Sequence, residues 1–161
     1  MLLLAIDDSA LPVKENLCLY LSKPKVRAEP VLAPSPRDSN APDNLAAMFY
    51  GTVLHDNGRF RMWYYASHWG MNLDWPPDLA RQFAKYKDPV LLGPACYAES
   101  DDGIRWSKPG LQQFKFKGSL NHNAINLPHG LTAGVNVIKD MDDPDPQRRY
   151  KMVSQASHRK A

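Results

Sequence analysis

The segment that most constrains the fold is written twice. Val53-Leu54-His55-Asp56, a turn, and Arg59-Phe60-Arg61-Met62-Trp63-Tyr64-Tyr65-Ala66-Ser67 form the first copy. Val137-Ile138-Lys139-Asp140, a longer turn, and Arg149-Tyr150-Lys151-Met152-Val153-Ser154-Gln155-Ala156-Ser157 form the second. The copies are offset by 84 residues before the turn (Val53 to Val137) and by 90 after it (Arg59 to Arg149), so the second turn is longer by six. Each copy reads as a strand, an Asp-led turn and a returning strand. A hairpin repeated at long range points to an array of antiparallel sheets. In the returning strand Phe60, Met62 and Tyr64 alternate with Arg61, Trp63 and Tyr65, which predicts a central strand covered on both faces.

Around the repeats the punctuation is heavy: 14 Pro and 9 Gly in 161 residues favour short strands and turns over a helical bundle. Residues 1–46 read as an extended lead-in, since proline fixes φ and removes a backbone donor. Residues 47–110 read as a four-stranded antiparallel unit. Its strands fall at 48–56, 59–66, 95–100 and 104–107, and an amphipathic helix is inserted near 76–87, where Leu79, Phe83 and Tyr86 share a face. Residues 111–161 read as a connector and the first hairpin of a second unit, with strands at 131–139 and 149–156. The fold class is therefore all-β, and four-stranded sheets repeated about an axis are propeller blades. A small β-sandwich or an irregular α+β domain is the alternative. Only about one and a half blades are expected within these residues. In that reading the second hairpin leaves 149–157 as an exposed edge, a route to self-association.

The balance of 20 basic and 17 acidic residues, with no run of five like charges, argues against a nucleic-acid partner. No segment approaches the roughly 20 apolar residues needed to span a bilayer, so no membrane partner is expected. Residues 1–6 are apolar but too short for a signal core and lack a basic flank. Cys18 and Cys96 have neither metal nor CxxC spacing and could pair or stay reduced. The five histidines form no HxH or HExxH pattern, and no phosphate loop or nucleophile elbow occurs, so neither metal nor cofactor is expected.

Tyr50-Gly51-Thr52-Val53-Leu54 with Phe60-Arg61-Met62-Trp63-Tyr64 resembles the first blade of the five-bladed β-propeller glycoside hydrolases, the clan of fructan- and arabinan-cleaving enzymes. The run Tyr97-Ala98-Glu99-Ser100-Asp101-Asp102-Gly103-Ile104-Arg105-Trp106-Ser107-Lys108-Pro109 is similar to that group's blade-closing pattern. Asp142-Asp143-Pro144-Asp145-Pro146 followed by Arg149-Tyr150-Lys151 is similar to one of its hairpins. The resemblance covers residues 48–157 and implies an N-terminal part of a propeller that acts on an oligo- or polysaccharide. It also implies an axial funnel lined by carboxylates from successive blades, one of them a Glu from a later blade beyond residue 161. Glycosidic cleavage uses two carboxyl groups, about 5–5.5 Å apart for retention and about 6.5–9.5 Å for inversion. The alternative is a non-catalytic propeller fragment, or a module that binds carbohydrate or protein.

Asp43 precedes the first inner strand, where a funnel carboxylate would enter, and is a catalytic candidate beside the alternative of an ordinary loop aspartate. Asp7 and Asp8 follow the first apolar run and are candidates on the same ground, or strand-end caps. His68, Trp69 and Trp75 border the inserted helix and suit a sugar-stacking cleft, or pack that helix on the sheet. His122 and Asn123 supply imidazole and amide groups at a loop end where binding residues collect; Asn121 reads as a turn residue. Asp56 and Asp140 read as turn formers whose carboxylates bond backbone two residues on. The Asp101-Asp102-Gly103 turn, loosely like a sialidase Asp-box, reads as a turn staple without catalysis.

Overall fold

A computed structural model of the chain describes residues 15–16, 23–69, 93–127 and 132–156. The helix expected near 76–87 lies outside the described residues. What is described is all-β: five strands in two antiparallel sheets, with a single 3-10 turn at Pro146–Arg148 as the one helical element among these residues.

The first sheet has the order β1 (Ala46–Asp56), β2 (Arg59–Ser67), β3 (Ala95–Ser100). β1 and β2 are joined by Asn57 and Gly58, both at positive φ (52° and 77°). Two positive φ values in a two-residue loop match the strands' right-handed twist, which is why Asn-Gly stands there. β2 is central. Its Met62, Tyr64 and Ala66 form one buried cluster with Cys96, Ala98 and Ala124, with Leu32, Ala47, Trp106 and Phe114 around it. Its Trp63 belongs to the cluster on the opposite face, around Ala95, Val135 and Val137 with Leu54, Ile125 and Leu127. The two-faced alternation read from the sequence is therefore the observed one.

The segment expected as a fourth strand, residues 104–107, departs from expectation. It meets β3 through one two-way bridge, Glu99 N–H to the Ser107 carbonyl (3.0 Å) and Ser107 N–H to the Glu99 carbonyl (2.8 Å). The cause is local. The Asp102 carboxylate takes the Ile104 and Arg105 N–H groups at 2.8 and 2.7 Å, and Trp106 Nε1 donates to the Gly103 carbonyl at 3.0 Å. Those donors are lost to any ladder, and the segment curls into a turn. The other end of the β3 edge is taken by residues 123–125, where Tyr97 N–H donates to the Asn123 carbonyl and Ile125 N–H to the Ala95 carbonyl, both at 2.9 Å.

The second sheet is a hairpin of β4 (Thr132–Lys139) and β5 (Tyr150–Ala156). From its turn to its bulge it is congruent with the β1–β2 hairpin. Leu54 faces Arg61 as Ile138 faces Lys151, and His55 faces Phe60 as Lys139 faces Tyr150. Both ladders hold equivalent pairs up to a bulge, Thr52 with Trp63 and Asn136 with Val153, and there they part, since β1 has two extra residues between Met48 and Thr52 and β4 one between Ala133 and Asn136. The cross-strand ion pair is also repeated: Arg61 Nε lies 3.6 Å from Asp56 Oδ2, and Lys151 Nζ lies 2.5 Å from Asp140 Oδ2. Each bulge holds a glycine for a different reason. At Gly51 a Cβ would sit 1.8 Å from the Trp63 carbonyl oxygen, whereas Gly134 is free of such contact but has φ +62°.

β4 packs across β1 and β2 and reaches β3. Full burial of an aliphatic side chain contributes about 1.5–3 kcal/mol, so buried Val135 and Val137 are the main apolar anchor of this contact. Its polar part is twofold. Thr52 Oγ1 accepts from Val137 N–H at 3.1 Å and reaches the Val135 carbonyl at 3.5 Å, engaging the free edge of β4. The nearly buried Asp56 carboxylate receives Lys139 Nζ and the Tyr150 hydroxyl. Asp56 thus ties one sheet to the other, in place of the turn role expected of it. Asp140 does fill that role, its Oδ1 accepting the Asp142 N–H at 3.1 Å.

Candidate functional site

β1 begins, β2 ends and β3 begins at one end of the first sheet, as the pairs Ala46–Ser67 and Tyr65–Ala95 show. The loops that meet there carry most of the described candidates. Asp43, three residues before β1, is fully buried. Its Oδ2 accepts from the Tyr64 hydroxyl at 2.9 Å and from Lys108 Nζ at 2.5 Å, while Oδ1 is buried without a hydrogen-bond partner. Lys108 also donates to the Ala33 carbonyl at 2.7 Å and the Ser35 hydroxyl at 3.2 Å. Asn123 completes the network, its Nδ2 donating to the Tyr64 oxygen at 2.7 Å and to the Tyr97 carbonyl at 2.8 Å. The Tyr64 hydroxyl therefore donates to a carboxylate and accepts from an amide. Burial first, then nearby Cys96 and Asp43, raise its pKa strongly, so it stays protonated. Burial pushes the free Cys96 thiol up in the same way.

Beside this network lies an aromatic layer. His68, buried, meets Phe116 edge-on at 4.9 Å, and His122 meets Phe114 at 4.8 Å and Phe116 at 5.7 Å. Burial, and secondarily Lys117, lower the His68 pKa to about 4, so the ring is neutral at ordinary pH. His122 Nδ1 accepts the Ala124 N–H at 3.2 Å, which assigns the proton to Nε2, 2.7 Å from the Phe114 carbonyl. Trp69 joins through Asn44, whose Oδ1 accepts the Trp69 N–H at 2.8 Å. The Arg37 guanidinium stacks on the Trp69 ring at 4.2 Å, and Lys117 Nζ donates to the Trp69 carbonyl at 2.9 Å.

Five of the candidates thus converge. Asp43 and Asn123 share the Tyr64 hydroxyl, His68 and His122 flank Phe116, and Trp69 is held next to Asp43 by Asn44. Asp7, Asp8 and Trp75 lie outside the described residues. Asp43, His68, His122 and Asn123 are all interior groups. The arrangement holds one carboxylate in a fixed place with one oxygen unused, and no second carboxylate among the described residues enters its hydrogen-bond network. Sequence reading missed Tyr64, Lys108 and Asn44 as members. Lys108 lies 65 residues from Asp43, and no local spacing signals that pairing. Among the described residues no group of three His, Cys, Asp or Glu side chains could hold a metal ion, and no helix is long and apolar enough to cross a membrane. No protein-family model, curated protein or solved structure matches the chain.

Proposed function

We propose that the two sheets are successive blades of a five-bladed propeller of the glycoside hydrolase kind, acting on an oligo- or polysaccharide at the end of the sheet where Asp43 lies. The observation that carries this reading is the congruence of the two hairpins. From the turn to the bulge the register and the cross-strand ion pair recur, both first strands bulge beyond it, and β4, the counterpart of β1, packs against β1. Radial repetition of one unit produces this pattern. The motif resemblance over residues 48–157 supports the carbohydrate part. Asp43 is the carboxylate at the root of β1. Its partner in cleavage, and the rest of the ring, come from blades beyond the two sheets described here.

A second reading, a propeller module that binds carbohydrate without cleaving it, is favoured by one observation: Asp43 is already ion-paired with Lys108 and has no second carboxylate in its network. Reducing-sugar release and affinity electrophoresis on arabinan, fructan and related polysaccharides separate the two. Cleavage that is lost in a folded Asp43→Asn variant supports the enzyme. Retardation in the gel without product release supports the binding module. Absence of both sinks the carbohydrate reading.

A further inference from the structure

Residues 36–44 form a cross-braced loop at the end of the first sheet where Asp43 lies. Ser39 donates its N–H (3.0 Å) and its hydroxyl (2.6 Å) to the Pro36 carbonyl. Asn44 Nδ2 donates to the Ser39 carbonyl at 2.7 Å and to the Arg37 carbonyl at 3.2 Å, while Asn44 Oδ1 accepts the Trp69 N–H. One amide thus fixes the backbone of Arg37 against that of Trp69, and the Arg37 guanidinium lies on the Trp69 ring. Stacking uses the face of a guanidinium and leaves its in-plane N–H fork free for a carboxylate. Among the described residues that fork meets no acceptor, and Arg37 forms no ion pair even with its neighbour Asp38.

A second cation reaches Trp69 from a two-residue turn. Phe116 and Ser119 exchange backbone hydrogen bonds at 2.9 and 3.0 Å, with Lys117 and Gly118 between them at positive φ (47° and 80°). The β1–β2 turn also has two positive φ values, and there Asn57 holds the first position. Asn tolerates positive φ through its short polar side chain, and lysine lacks that compensation. A residue that breaks the local rule of its turn signals a demand from elsewhere. Here the demand is met at the tip of the side chain. Lys117 Nζ donates to the Trp69 carbonyl, lies 5.9 Å from the Phe116 ring centre and has no carboxylate partner among the described residues. One carbonyl occupies one of its three N–H donors. Burial lowers the Lys117 pKa, as expected for an ammonium drawn from water without a counter-ion. Asp43, the carboxylate of this end, is already matched by Lys108.

We propose that Arg37 and Lys117, both anchored on Trp69, form a site for a carboxylate, and that, resting on the carbohydrate reading above, the carboxylate belongs to a uronic acid unit of the oligo- or polysaccharide. The Arg37 fork receives it and Lys117 supplies the second positive charge.

Affinity electrophoresis of the chain in gels containing polygalacturonate, its methyl ester or dextran sulfate tests this. Acid and ester share a backbone and differ in charge, and dextran sulfate supplies charge without a carboxylate. The dissociation constant for the acid should be about tenfold or more below those for the other two polymers. Arg37→Gln should abolish that preference. Lys117→Asn should abolish it too while keeping or raising the urea midpoint, because Asn suits the turn, so the loss is not one of folding. Lys115→Gln, which removes an exposed cation two residues away, should leave the preference intact. Equal affinity for acid and ester, equal affinity for acid and dextran sulfate, or a preference that survives both Arg37→Gln and Lys117→Asn overturns the carboxylate site. Retardation on neutral polysaccharides alone overturns this site and leaves the carbohydrate reading standing; retardation on none removes both.

Discussion

Lys108 and Asp43 form an ion pair whose members are unequally sheltered. The Asp43 side chain is fully buried, while that of Lys108 keeps 21% of its surface exposed. The two deletions should therefore differ. Lys108→Met leaves an uncompensated carboxylate in the interior, with an expected cost of about 3–5 kcal/mol. Asp43→Asn leaves an ammonium that still has the Ala33 carbonyl, the Ser35 hydroxyl and some water, with an expected cost of about 1–2 kcal/mol. Urea denaturation of both variants measures the order, and the double variant should recover part of the Lys108→Met loss. Asp43 was visible in the sequence through its place before an apolar strand. Its partner was not, because the pairing is made by the fold across 65 residues, and a lysine before a proline signals only a turn.

Strands were the most legible elements, because alternation and the Asn57-Gly58 turn carry the information within a few residues. Where a side chain competes for backbone donors the pattern misleads. Residues 104–107 alternate like a strand, but Asp102 takes two of their N–H groups. The bulges were equally hidden, and their glycines offer a comparison. Gly51→Ala drives a Cβ into the Trp63 carbonyl and must part β1 from β2, an expected cost of about 3 kcal/mol. Gly134→Ala meets no atom within 4 Å and bears only the penalty of positive φ, about 1 kcal/mol. Chemical denaturation of the two variants should rank them in that order, and equal losses would refute the close-approach reading of Gly51.

For the whole molecule, the repeat told that two similar sheets exist but not how they join. The join rests on Asp56, which its position at the very end of β1, before Asn57-Gly58, disguised as a turn residue. Asp56→Asn removes the charge that Lys139 and Arg61 share, and amide exchange in β4 and β5 should accelerate more than in β2 and β3. Asp140→Asn, the equivalent change within the second hairpin, should loosen that hairpin's turn without the same effect on the packing of β4. Hydrogen-exchange mass spectrometry of both variants reads the difference. The Lys108 contacts also set a timetable. The Ala33 carbonyl and Ser35 hydroxyl accept from a side chain 75 and 73 residues later in the chain. At a synthesis rate of about 5–20 residues per second, that side chain is added roughly 4–15 seconds after the groups it fastens. During synthesis the proline-rich segment therefore waits unfastened for that interval, which is when a chaperone or a protease would meet it.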